Sequence, residues 1–203
     1  MIITKHEIQT LKKIPNSGYD AFKQQFLFHS NKMEGSTFSL ENINKAIEKG
    51  IIEGEHTYND VIETMNSIKL FDFVIDTLDE QLTKRLIIEY QDILKRNTLD
   101  HERGLSGKWK SIPNMISNTD LELAQPYEVD EKMEQLLYKY NSSNKDKESI
   151  IQFHVQFEKI HPFQDGNGRV GRFIMIRECI LNKAPLIVID EKYEREYKNN
   201  LYL

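Results

Sequence analysis

The sequence predicts an all-α helical bundle carrying one small β-hairpin. Apolar residues recur at helical spacing over most of the chain. Capping and terminating residues fall where those stripes begin and end. Only two stretches break the pattern, and one of them can turn back on itself as a hairpin. No repeat, low-complexity tract or Gly/Ser linker divides the 203 residues. One domain over 1–203 is expected, with residues 1–60 as an N-terminal helical segment and 61–203 as the core.

The elements follow in order. Residues 19–34 place Tyr19, Phe22, Phe26 and Met33 on one side of a helix. Ser39 caps a short helix bearing Ile43, Ala46 and Ile47, and Gly50 ends it. Val61, Met65, Ile68, Phe71, Ile75 and Leu78 form a long stripe, and Leu82, Leu86, Tyr90 and Ile93 another. After Pro126 comes a helix with Val129, Met133, Leu136, Leu137 and Tyr140 inside. Glu128, Asp130 and Glu131 at its start suit the positive end of the helix dipole. Ile150, Phe153, Phe157 and Ile160 repeat at helical spacing, and Val170, Phe173, Ile174, Cys179 and Leu181 less regularly. Residues 97–125 hold Gly104, Gly107, Pro113 and the single Trp109; strands at 108–112 and 115–118 would make the hairpin. Residues 161–168 interrupt two strongly apolar helices with polar residues, a proline and two glycines.

Composition excludes several classes. With 39% hydrophobic residues and 10% aromatic ones, the chain can fill a core and is not intrinsically disordered. Its 27 basic against 32 acidic residues, net −5, argue against a general nucleic-acid or anionic-membrane binder. The lone Cys179 excludes an intrachain disulfide and a cysteine metal cluster, and fits a reducing compartment. No apolar run is long enough for a leader or a membrane span, so a cytoplasmic protein is expected.

The interrupted stretch carries the chemistry. It reads His161-Pro162-Phe163-Gln164-Asp165-Gly166-Asn167-Gly168-Arg169-Val170-Gly171-Arg172. Pro162 stops one helix, and the next begins near Gly168 with free backbone N–H groups and its dipole facing the loop. Gly166 and Gly168 let amides close around an anion, and Asn167 tolerates the left-handed backbone such a nest uses. Arg169 and Arg172, three apart, project from one face as a fork for phosphate oxygens. Asp165 offers a hard oxygen suited to Mg²⁺ beside those phosphates. His161 can take a proton from a hydroxyl. Phe163 would bury its ring and hold the loop in shape. Together these residues describe a polyphosphate site with a metal and a base.

Residues 161–172 meet every specified position of His-Pro-Phe-x-(Asp/Glu)-Gly-Asn-Gly-Arg-x-x-Arg, and so the chain resembles Fic-domain proteins. The likeness extends back through His154, Phe157 and Glu158 to the segment 126–140, and forward to about Leu201. It implies the Fic fold with a hairpin flap, and a protein adenylyltransferase that moves AMP from ATP to a Ser, Thr or Tyr hydroxyl. His161 would be the base and Asp165 the Mg²⁺ ligand. Phe163, Gly166, Asn167, Gly168, Arg169 and Arg172 would form the ATP site, with Tyr197 near the adenine. The stretch 107–118 occupies the flap's place, where a target chain would lie.

Ser30-Asn31-Lys32-Met33-Glu34-Gly35 resembles that family's inhibitory motif, (Ser/Thr)-x-x-x-Glu-(Gly/Asn). Ser30 and Glu34 share a helix face, and a glutamate in a last turn asks for a cationic partner. The resemblance implies that Glu34, steadied by Ser30, pairs with Arg172 and blocks the γ-phosphate. The partners expected are ATP and a protein substrate, with the chain itself among the candidates, and no nucleic acid and no membrane. Exposed apolar helix faces leave room for a homodimer. AMP removal on the same residues, phosphate transfer and a silent nucleotide-binding module stay open as rivals. His154 and Cys179 read as structural.

Overall fold

Side-chain caps start most helices of this protein. The computed structural model describes residues 1–115 and 122–190. Thr4 caps α1 (Lys5–Leu11), Ser17 caps α2 (Gly18–Lys32) and Ser39 caps α3 (Leu40–Lys49). Thr57, Thr83 and Thr98 do the same for α4 (Tyr58–Asp76), α5 (Lys84–Lys95) and the single turn α6 (Leu99–Glu102). In each case the hydroxyl accepts a first-turn N–H that has no partner within the helix. A 3₁₀ turn, Pro126–Glu128, leads into α7 (Val129–Asn141). Asp146 caps α8 (Lys147–Ile160), and Gly166 precedes α9 (Asn167–Leu181).

The bundle is built around α9, which is buried along nearly its whole length. Helices α8, α5, α4 and α2 pack on it. Phe71 gathers Tyr19, Phe22 and Phe26 at centroid distances of 5.5, 5.7 and 5.7 Å, and Phe26 meets Phe173 of α9 at 5.0 Å. These contacts set where the end of α2 lies relative to the start of α9. Gly171 lets α8 come close: a Cβ there would lie 2.7 Å from His154 Nδ1 and 2.8 Å from Glu158 Oε1.

Two expectations are corrected. The α4 stripe is half polar inside: Thr64, Asn66 and Ser67 are buried, whereas Val61, Met65 and Ile68 are half-buried. Val61 and Ile68 still pack on the core, and the buried polar side chains beside them are bonded, Asn66 Nδ2 donating to the Leu94 and Arg96 carbonyls (3.0 and 2.7 Å) and Ser67 to Asn31 (3.2 Å). No strand forms at 108–112, and among the described residues there is none elsewhere. Lys110 donates its N–H to Pro162 O (2.8 Å), which ties this segment to the interhelical loop. Residues 116–118 of the expected hairpin lie outside the described residues, as does Tyr197. Among the described residues no helix is long and apolar enough to cross a membrane.

Candidate active site

The loop between α8 and α9 is held from inside. His161 ends α8 in the left-handed region (φ 51°), and its N–H still bonds Phe157 O at 2.9 Å. The chain then dives inward, and Phe163 is fully buried against Trp109 (5.1 Å) and Phe157 (6.3 Å). Asn167 spans the turn: its Oδ1 accepts from Phe163 N (2.8 Å) and its Nδ2 donates to Phe163 O (2.9 Å). Asn114 donates to the same carbonyl at 3.0 Å. Asn167 was expected in a left-handed nest; it is the first residue of α9, and the left-handed position belongs to Gly166 (φ 85°). A side chain at Gly166 would be strained and would press on Leu94 Cδ2 at 3.1 Å.

Three groups of charge converge on this loop. At its entry, His161 is largely buried, and its Nδ1 lies 4.0 Å from Glu158 Oε2. Burial, and then the nearby Lys110 ammonium, pull the imidazole down to about 4, so it is neutral at physiological pH. Burial also lowers Lys110 to about 8 and raises the Glu158 carboxyl to about 8.

In the middle, Asp165 pairs with Lys95 Nζ at 2.5 Å, and Arg169 lies 3.7 Å away. Burial alone would raise the Asp165 carboxyl, but Lys95 and Arg169 outweigh it and hold it at about 2. Arg169 is itself buried and pairs with Glu63, which also holds Lys95 at 2.6 Å.

Beyond them, Arg172 donates through Nε to Ser30 Oγ (3.0 Å) and through Nη2 to Ser30 O (3.0 Å) and Glu34 Oε1 (2.6 Å). Burial acts to raise the Glu34 carboxyl; Arg172 and Arg169 overcome it and keep it below the usual carboxylate range. Glu34 lies in the turn after α2, and Gly35 (φ 85°) closes that turn. The carboxylate reaches in far enough that a Cβ at Gly168 would overlap its Oε1. A cleft of about 190 Å³ opens beside Glu34, Asp60, Glu63 and Arg169.

His161, Asp165, Gly166, Gly168, Arg169, Arg172, Ser30 and Glu34 thus meet at one place, from segments more than a hundred residues apart. The expected arginine fork is divided: Arg169 turns to Glu63 and Arg172 to Glu34. Glu63, Lys95 and Lys110 were not singled out from sequence. They sit in no motif, and only the packing of α4, α5 and the following segment brings them in. Glu158, three residues before His161, carried a positional hint but no assigned role.

The residues suit a divalent ion in one way only. Among the described residues no group of three or more His, Cys, Asp or Glu side chains is placed to hold a metal. Asp165 alone presents an ionised carboxylate, about half exposed, at the loop. One hard oxygen fits a Mg²⁺ whose other ligands are water and phosphate.

Comparison with known proteins bears on the family and the fold. Residues 81–179 match the Fic/DOC family. A protein adenylyltransferase Fic of Nematostella vectensis is 28% identical over 191 residues, covering 85% of this chain and 41% of that protein. The chain therefore spans less than half the length of that relative. A Fic domain containing signaling protein from Bacteroides thetaiotaomicron shares the fold, with a TM-score of 0.80 and 24% identity over 96% of this chain and 80% of that one. Fic-1 from C. elegans shares it too, with a TM-score of 0.73 and 17% identity over 97% of this chain and 60% of that one.

Proposed function

Residues 81–179 form a Fic/DOC-family domain, and from that premise we propose that the protein is an adenylyltransferase restrained by its own Glu34. It moves AMP from ATP onto a Ser, Thr or Tyr hydroxyl of a target protein. The observation that carries the reading is Arg172 held by Ser30 and Glu34 across 142 and 138 residues of sequence.

Neutral His161 takes the hydroxyl proton as the oxygen bonds to the α-phosphorus. The bond from that phosphorus to the α–β bridging oxygen breaks, and pyrophosphate leaves. Backbone amides at Gly166, Asn167 and Gly168, at the positive end of α9, receive the α- and β-phosphates. Phe163 serves that cradle from beneath, as the buried anchor of the loop. Arg169 neutralises the β-phosphate region and Arg172 the γ-phosphate. Asp165 holds Mg²⁺, which when bound neutralises charge on the transferring phosphates. The family resemblance assigns Tyr197, outside the described residues, to the adenine.

Glu34 occupies the Arg172 donor that the γ-phosphate needs, so ATP settles with its α-phosphate out of line. A charge-assisted hydrogen bond contributes about 1.5–3 kcal/mol, so its removal shifts the competent population by roughly ten- to a hundredfold.

The test is label transfer from α-labelled ATP with Mg²⁺ into lysate proteins and into the chain itself. Wild type should label weakly, Glu34→Gly roughly ten- to a hundredfold more strongly. Adding His161→Ala should remove the gain, since a general base contributes about 10²–10⁴-fold. Equal labelling by wild type and Glu34→Gly would refute the restraint. Transfer of γ-label in place of α-label would refute the reaction.

A further inference from the structure

One short segment grips the loop on both sides of His161. The Lys110 N–H donates to Pro162 O at 2.8 Å, and Lys110 Nζ reaches Ile160 O at 3.5 Å. Asn114 Nδ2 donates to Phe163 O at 3.0 Å, and Asn114 Oδ1 accepts from Lys110 Nζ at 2.8 Å. Three carbonyls are thus held, at Ile160, Pro162 and Phe163, and His161 lies among them. That residue needs holding. Its backbone sits in the left-handed region (φ 51°), which a residue with a side chain keeps only where its surroundings enforce it.

Lys110 is 4% exposed, and among the described residues its ammonium pairs with no carboxylate. A neutral donor could make the same bonds with less charge to desolvate. The ammonium lies against the last carbonyl of α8, at the negative end of that helix dipole, which offsets part of the cost.

We infer that Lys110 and Asn114 are positioning residues for His161, fixing the imidazole at the entry of the loop through the carbonyls on either side of it. The inference rests on His161 being the base of the proposed reaction. The ammonium adds a second effect, since it opposes a positive charge on the imidazole and so keeps the base ready for a proton. The Glu158 backbone carbonyl, Asp165 and Glu34 act on His161 in the opposite sense, while Glu128 and Lys132 act on Lys110.

The first arm of the test needs no turnover and follows His161 by NMR through its ¹³Cε1 resonance. Lys110→Gln should move the His161 titration upward by about one unit, and Lys110→Arg should leave it in place. The second arm is kinetic, in a Glu34→Gly background. Lys110→Gln and Asn114→Ala should each lower kcat at least about tenfold and change KM for ATP less than about threefold, because the base is misplaced while the phosphate cradle is not. Lys110→Arg should recover most of the loss. A Lys110→Gln protein with wild-type circular dichroism and unchanged kcat overturns the inference. A loss carried by KM for ATP overturns it too, since it would assign both residues to the cradle.

If Lys110→Gln does not fold, Glu158→Gln decides, because the Glu158 carboxyl is the other group near His161 that titrates about 8. In that variant the His161 resonance should still respond near pH 8, where Lys110 gives up its proton. A flat response overturns the inference. The expected titrations with no label transferred by Glu34→Gly would refute the transferase reading while leaving the hold of Lys110 on His161 standing.

Discussion

Two carboxylate clamps flank the same short helix start, and they are built differently. On the α2 side, Glu34 holds Arg172 from a turn beyond the helix end, and a third of its side chain is exposed. On the α4/α5 side, Glu63 sits mid-helix, is 17% exposed, and holds Lys95 and Arg169 together. The first clamp is one residue on a turn, with Gly35 as a joint. The second is part of a charge network that could not lose one member without stranding another in the interior. On the proposed reading Glu34 is a restraint that has to come off and Glu63 a scaffold that has to stay, and placement on a turn or within a packed helix suits each to that role.

The comparison can be broken most directly by neutralising each clamp. Glu63→Gln should destabilise the fold by about 3 kcal/mol, because Lys95 and Arg169 would remain buried without their shared partner. Glu34→Gln should cost about 1 kcal/mol, because Glu34 is a third exposed and Arg172 keeps both Ser30 acceptors. Urea unfolding of the two variants measures the difference, and equal losses would erase the distinction.

A smaller effect is expected where α8 meets α9. Gly171→Ala should cost about 1–3 kcal/mol, since the methyl would press on both His154 and Glu158. A melting temperature equal to wild type would show that the two helices can move apart freely.

A further effect is a slope. Glu158 is raised from 4.5 to about 8 in the folded protein. Between those values the folded state binds more protons than the unfolded one, so this group's contribution is complete at low pH and is lost as pH rises. Glu158→Gln, which cannot titrate, should therefore gain melting temperature relative to wild type as pH climbs from 5 to 8. A constant offset would contradict the raised carboxyl.

How much was legible follows from where each constraint acts. The loop residues could be read because their chemistry is local: Pro162 must end α8, a glycine must precede α9, and both arginines must lie on its first turns. Asn167 shows the limit. Its place was legible, but whether its backbone or its side chain did the work depended on Phe163 being fully buried beneath it. The stripe on α4 was legible, since Val61 and Ile68 pack on the core, but the burial of Asn66 and Ser67 beside it depended on partners in α5 and α2. No strand forms at 108–112; the Lys110 N–H meets a carbonyl on the interhelical loop, a partner that no local pattern could announce.

By itself, then, the sequence determined a helical chain, the caps that start its helices, and an interhelical loop with a histidine, a carboxylate and two arginines in set order. Those are properties of neighbouring residues, and backbone sterics and helix geometry dictate them without reference to the rest of the chain. Only the tertiary structure decided which charge answers which. Arg172 faces Glu34 because Phe26 packs on Phe173, and Asp165 faces Lys95 because α5 ends against the loop. Pairings between distant segments depend on how apolar faces interlock, and no spacing along the chain encodes that.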